Sequence, residues 1–271
     1  MDLSTGAVLI ALGLTTIAGL STGIGGAIAI SSKKENTKVL SLSLGLSAGV
    51  MVYISFMDLL PEAIEALTPV YSPLQAQIYS ILAFFAGILL IAVIDFLIPD
   101  EENIHENHPF EQLEHLDMNA KDGRMKRAGV MLALAIGIHN FPEGLATFAS
   151  ALEEITIALP IVVAIAIHNI PEGIAVAAPI YHSSGSRKRA FWISFLSGMA
   201  EPVGALIGAL FLLPFWNETI GSLILAFVGG IMVYISFDEL LPSSEKYGHH
   251  HYAIAGVIAG MVIMAIGILM M

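Results

Sequence analysis

The feature that most limits what this chain can fold into is the length of its charge-free runs. No Asp, Glu, Lys or Arg stands between Asp2 and Lys33, between Lys38 and Asp58, between Glu65 and Asp95, or between Glu218 and Asp238. The last run, residues 252–271, carries no charge at all. One bilayer span needs roughly 20 apolar residues, and each of these runs is of about that length or longer. Only 13% of the 271 residues are charged, against about 25% in an ordinary soluble domain. That shortfall excludes a soluble globular enzyme and a disordered chain, and a cysteine count of zero excludes a disulfide scaffold. Three further apolar stretches, 128–150, 156–181 and 190–213, are interrupted by isolated polar residues. The pattern predicts an all-α integral membrane protein with eight transmembrane helices near 4–30, 39–62, 75–98, 128–150, 156–181, 190–213, 219–242 and 251–270. They form one transmembrane domain over 1–271, with an acidic, His-bearing loop at about 100–127. The chain begins Met-Asp with no basic segment, so the first run reads as a retained span rather than a cleaved signal.

The basic residues orient these helices. All eleven (Lys33, Lys34, Lys38, Lys121, Arg124, Lys126, Arg127, Arg187, Lys188, Arg189 and Lys246) fall in connections 1–2, 3–4, 5–6 and 7–8. The positive-inside tendency makes those loops cytoplasmic and turns both termini outward. The opposite loops carry only acids (Glu62, Glu65, Glu153, Glu154, Glu218), which attract cations. A net charge of −12 gives nucleic acid no footing.

Two repeats follow. Residues 51–61, Met-Val-Tyr-Ile-Ser-Phe-Met-Asp-Leu-Leu-Pro, recur at 232–242 with nine of eleven positions identical. The first copy runs from inside to outside and the second from outside to inside. Helices 1–3 and 6–8 are therefore an inverted repeat around a central pair, a pattern of transporters that alternate access to a midplane site. The second repeat is chemical: His139-Asn140-Phe141-Pro142-Glu143-Gly144 in helix 4 and His168-Asn169-Ile170-Pro171-Glu172-Gly173 in helix 5. His and Glu at i and i+4 share a helical face. A turn near residue 155 brings His139 level with Glu172, and Glu143 level with His168.

Two His, two Asn and two Glu supply the borderline nitrogen and oxygen ligands that suit Zn²⁺, Fe²⁺, Mn²⁺ or Co²⁺. Without cysteine, a thiolate site for Cu⁺ is not available. A carboxylate at the bilayer centre is costly unless paired. No Lys or Arg lies inside a predicted span to pair with Glu143, Glu172 or Glu201, so the counter-charge is a cation from solution. The bland alternative is a set of polar groups bonded only to each other, with the Glu protonated.

These motifs, the Leu-Leu-Pro-Glu end of helix 2 and Ala200-Glu201-Pro202 in helix 6 resemble the ZIP (Zrt/Irt-like) divalent metal transporters, in particular the bacterial zinc-uptake branch. The resemblance spans nearly the whole chain. It implies a 3+2+3 arrangement of eight helices in the cell membrane, a homodimer, and uptake of Zn²⁺ into the cytosol, with Fe²⁺, Mn²⁺, Co²⁺ and Cd²⁺ as further cargo. Transferred to this chain, it implies a primary metal site of His139, Glu143, His168 and Glu172. Asn140, Asn169 and Glu201 would complete an adjacent second site sharing Glu143 and Glu172. No prosthetic group is implied; the metal is the substrate.

Other polar residues are ambiguous by sequence. Asp58 and Glu62 at the outer end of helix 2, and Asp238 and Glu239 at the inner end of helix 7, read either as vestibules of the pathway or as solvated helix ends. Asp95 is equally open. His105, His108 and His115 lie among seven acids between Asp100 and Asp117, as a weak collector of arriving metal or as a solvated tether. His249–His251 read as part of the exit or as the polar start of helix 8. The glycines of helix 1 suit close packing, and the methionines are read as packing residues. An intramembrane zinc hydrolase would need an His-Glu-x-x-His helix, which is lacking. A channel would show flux that does not saturate with metal. An ATP-driven pump would need a phosphate-binding loop, also lacking. Deleting residues 103–116 should leave transport measurable while changing its apparent affinity or regulation. Complete loss of uptake in a well-folded deletion would make the loop part of the route.

Overall fold

Each charge-free run folds as a helix, because a backbone in hydrocarbon must satisfy its own hydrogen bonds. The structure is a computed structural model that describes residues 5–31, 36–97, 133, 136–138, 140–152, 155–211, 215 and 217–269. Its helices are α1 (Thr5–Ser31), α2 (Thr37–Leu67), α3 (Pro73–Leu97), α4 (described at 133, 136–138 and 140–152), α5 (Ile155–Ser184), α6 (Arg187–Phe211), α7 (Thr219–Glu245) and α8 (His250–Leu269). Seven are long and apolar enough to cross a membrane, and α4 supplies the eighth in part. No strand occurs among the described residues.

Among the boundaries that differ from the sequence expectation, two have a visible local cause. Helix α2 does not stop near 62 but continues to Leu67, because Ser55–Leu59 widens into one π-helical turn. Pro61 offers no amide and crowds the carbonyl four residues before it, and the wider turn absorbs this without ending the helix. The Leu60 amide reaches back to the Ser55 carbonyl. The inverted copy does the same: Ser236–Leu240 is π-helical, Leu241 bonds to Ser236, and Pro242 follows. Ser55 and Ser236 each donate to a carbonyl one turn back, Met51 and Met232, at 2.7 Å. Helix α6 begins at Arg187 instead of near 190, because the Ser186 side chain caps it by accepting from the Arg189 amide. The basic triplet is thus the first helical turn and not a loop.

Glycine sets the packing. In the first group, α1 meets α5 where Gly25 faces the Ile170 carbonyl and Gly173 faces that of Thr22. Helices α1 and α6 meet at Gly19 and Gly198, each against the other's carbonyl. Helices α4 and α6 meet at Gly144 against Glu201 and Gly204 against Phe141. In the second group, Gly45 and Gly49 of α2 lie on the carbonyls of Ala253 and Val257 in α8, with Gly256 and Gly260 returning the contact. Gly87 of α3 and Gly230 of α7 do likewise through Phe227 and Phe84. At every one of these positions a Cβ would strike backbone. Gly49 and Gly230 are equivalent residues of the inverted repeat, so the α2–α8 contact is repeated as α7–α3.

The fold is therefore two four-helix bundles, α1/α4/α5/α6 and α2/α3/α7/α8. Every glycine–carbonyl contact among the described residues joins helices of one bundle. Between the bundles, α2 packs on α5. There Leu44, Ala48 and Met51 of α2 share a buried apolar cluster with Ala146 and Ala149 of α4 and Ala164 and Ala175 of α5. Helices α3 and α8 are only 22% buried over their most apolar windows, against 67% for α7, so they form the outer, lipid-facing layer.

Gly230→Ala should lower thermal stability in detergent sharply, because overpacking against rigid backbone costs about 1–3 kcal/mol or more. Gly13, with nothing within 4 Å of an added Cβ, should accept Ala with no loss. Equal melting temperatures for the two variants would remove the glycine contacts from the account of stability.

Candidate metal centre

The two six-residue motifs meet inside the first bundle. Their terminal glycines, Gly144 and Gly173, are the residues at which α4 touches α6 and α5 touches α1, so backbone contact fixes the depth and rotation of each motif. The preceding residues are thereby turned inward: Asn140, Glu143, His168, Asn169 and Glu172 are all buried. Glu201 of α6, one turn after the irregular Gly198–Met199 junction, is buried with them.

The central pair is Glu143 Oε1 and His168 Nε2, 2.8 Å apart. His168 Nδ1 lies 3.0 Å from the Ala164 carbonyl. A carbonyl only accepts, so Nδ1 carries the proton and donates. The Nε2 lone pair then faces a carboxylate oxygen, and at that distance only a proton fits between the two, so a metal ion would have to bridge both atoms from one side. Asn169 Nδ2 donates to Glu201 Oε1 and, at 3.2 Å, to the Ala18 carbonyl. Asn140 Nδ2 donates to the Ser197 carbonyl at 3.4 Å. Glu143 and Glu172 both lie near Glu201. On the far side of the site, Ser47 of α2 donates to Glu172 Oε1 at 2.9 Å.

The expected level pairing of Glu143 with His168 is therefore observed. The structure also brings Asn169 to Glu201. His139 lies outside the described residues. Among the described residues no three His, Asp or Glu side chains form a group that could hold a metal ion; the His168–Glu143 pair is a direct contact between such side chains in the buried cluster. Ser47 and Ser197 were not singled out by sequence. A serine in an apolar helix carries no local signal of its partner, and only the crossing of α2 over α5 reveals it.

The flanking acids are less exposed than solvated helix ends would be. Asp58 sits within the π-helical turn of α2, half-buried, and Glu62 is half-buried one turn on. Glu239, at the equivalent position of α7, is buried, with Asp238 half-buried beside it. Near these two carboxylates stands Lys246; burial pushes its ammonium below the usual lysine range, while Glu239 and Asp238 pull it back up. Asp95 Oδ2 lies 3.5 Å from the Tyr234 hydroxyl, tying α3 to α7. His249 Nε2 is 3.0 Å from Thr37 Oγ1, which ties α8 to α2, and His250 pairs with Glu245 at 2.8 Å on the surface. His105, His108 and His115 lie outside the described residues.

The profile of the ZIP zinc transporter family matches residues 4–95 and 99–267. The chain is 55% identical over 257 residues to the zinc transporter ZupT of Streptococcus mutans, covering 95% of this chain and 96% of that one. It is 52% identical over 267 residues to ZupT of Akkermansia muciniphila, covering 98% and 99%. With ZupT of Chlorobium chlorochromatii the identity is 53% over 263 residues, covering 97% and 98%. Similarity of this depth, carried from end to end through both His-Asn-x-Pro-Glu-Gly helices, means that the chain belongs to the ZIP zinc transporter family.

Proposed function

We propose that the protein carries Zn²⁺ into the cytosol across the cell membrane through a site at the α4–α5–α6 junction, with Fe²⁺, Mn²⁺, Co²⁺ and Cd²⁺ as lesser cargo. It is a transporter rather than an enzyme. One observation carries the location of the site: the buried approach of His168 Nε2 and Glu143 Oε1, with the imidazole proton turned away onto Ala164. This sets a nitrogen and an oxygen donor side by side, the pairing a borderline divalent cation prefers. His139 and Glu172 complete the primary set in this reading, and Asn140, Asn169 and Glu201 an adjacent one. The arriving cation also supplies the charge that the buried carboxylates lack within the spans.

Transport then follows from the two bundles. Each is locked internally at glycine, whereas the surface between them is built of Ala and branched aliphatic side chains. A shift of α1/α4/α5/α6 against α2/α3/α7/α8 exposes the site to one side and then the other. Asp58 and Glu62 stand along the outer approach, and Asp238 and Glu239 along the inner one. Both termini face outward, the whole chain acts as one domain, and two chains associate as a homodimer.

Glu143→Ala and Glu172→Ala should each abolish zinc uptake into proteoliposomes while leaving folded protein in the membrane, because each removes a carboxylate ligand. Wild-type uptake in either variant would overturn the site. With no native cysteine to block, orientation is read by labelling single introduced ones. Lys188→Cys should react with an impermeant maleimide only from the cytosolic side and Ser72→Cys only from outside; the reverse pattern would invert the topology.

A further inference from the structure

The hydroxyl of Ser47 is the feature of the site that belongs to the other bundle. Ser47 rides on α2, which α8 holds through Gly45 and Gly49; Glu172 rides on α5, which α1 holds through Gly173. Both residues are fully buried, and the Oγ–Oε1 separation of 2.9 Å is that of a good hydrogen bond to a carboxylate. We propose that Ser47 is a positioning residue of the transport site, whose hydroxyl orients Glu172 for the cation in one relative position of the bundles and is withdrawn in the other.

The physical basis is the donor arrangement around a ligating carboxylate. When Oε1 accepts from Ser47, the rotation of the carboxylate that carries it is restricted. Partners of this kind, one step removed from the metal, typically change metal affinity 10- to 100-fold when removed. Most such partners share a rigid body with the ligand they orient, as Asn169 does with Glu201. Ser47 does not. A slide of α2 along α5, across the direction of this bond, stretches it beyond hydrogen-bonding range once it exceeds about 2 Å. The carboxylate is then less well held, and the site binds its cargo more weakly. A carrier needs such a difference: a ligand shifts a two-state equilibrium only through unequal affinity for the two states. Ser47 supplies the inequality from outside the moving group of ligands.

The inference rests on the transport site proposed above, and its test separates the two. Zinc KM and Vmax are measured in right-side-out and inside-out membrane vesicles for the wild type, Ser47→Ala, Ser47→Thr and Glu143→Ala. Ser47→Ala should raise the KM about tenfold in the direction of tighter binding, with a smaller change in Vmax, and should shrink the difference between the two directions. Ser47→Thr, which keeps a hydroxyl on the same carbon, should restore the wild-type KM; if the added methyl prevents folding, the directional comparison on Ser47→Ala decides alone. A KM for Ser47→Ala within twofold of wild type, a fall in Vmax at constant KM, or an undiminished directional difference would overturn the role of Ser47. Uptake that persists in Glu143→Ala would instead overturn the site itself.

Discussion

In hydrocarbon two helices gain little by hiding apolar surface from lipid, so what holds them together is how closely their backbones approach. In this protein that approach occurs at glycine, and mostly in reciprocal pairs: Gly25 with Gly173, Gly19 with Gly198, Gly144 with Gly204, Gly87 with Gly230. The consequence reaches beyond stability. Two of these residues, Gly144 and Gly173, close the His-Asn-x-Pro-Glu-Gly motifs, so the contact that locks the bundle also sets the height and rotation of the Glu immediately before it. Packing and chemistry share one residue spacing.

The second consequence is a division of labour. Contacts that admit no Cβ cannot slide without collision, since each carbonyl is seated in the notch left by a missing side chain. Alanines of α4 and α5 meet Leu44, Ala48 and Met51 of α2, side chains that repack at small cost. The same sequence thus makes two stiff bodies and one compliant seam, with the polar cluster lying in the first body against the seam. The π-helical turns at Ser55–Leu59 and Ser236–Leu240 carry Asp58 and Glu239 at equivalent positions of the inverted repeat. A proline that would ordinarily end a helix instead puts a carboxylate into a wider turn, twice.

Electrostatics completes the picture. Glu143, Glu172 and Glu201 are buried together in the stretches 128–150, 156–181 and 190–213, which carry no Lys or Arg, and the described hydrogen bonds to Glu172 and Glu201 come from the neutral donors Ser47 and Asn169. Neutral donors orient a carboxylate without neutralising it. A cation arriving at these carboxylates would supply the charge that the neutral donors do not.

Much of this was legible without coordinates, for identifiable reasons. A charge-free run of about twenty residues has one stable fate in a membrane, so the helices and their number followed from spacing alone. The inverted repeat was visible because nine matched residues in eleven specify the same backbone, down to the π-helical turn. The pairing of Glu143 with His168 followed from i to i+4 periodicity and a short connection. What sequence could not decide was anything that depends on how deeply one helix nests against another. The extension of α2 to Leu67, the burial of Glu239, and the reach of Ser47 across to Glu172 arise from contacts between residues far apart in the chain. Spacing within a helix says which face a side chain takes; only the tertiary approach of backbones, set at glycine, says what that face will meet.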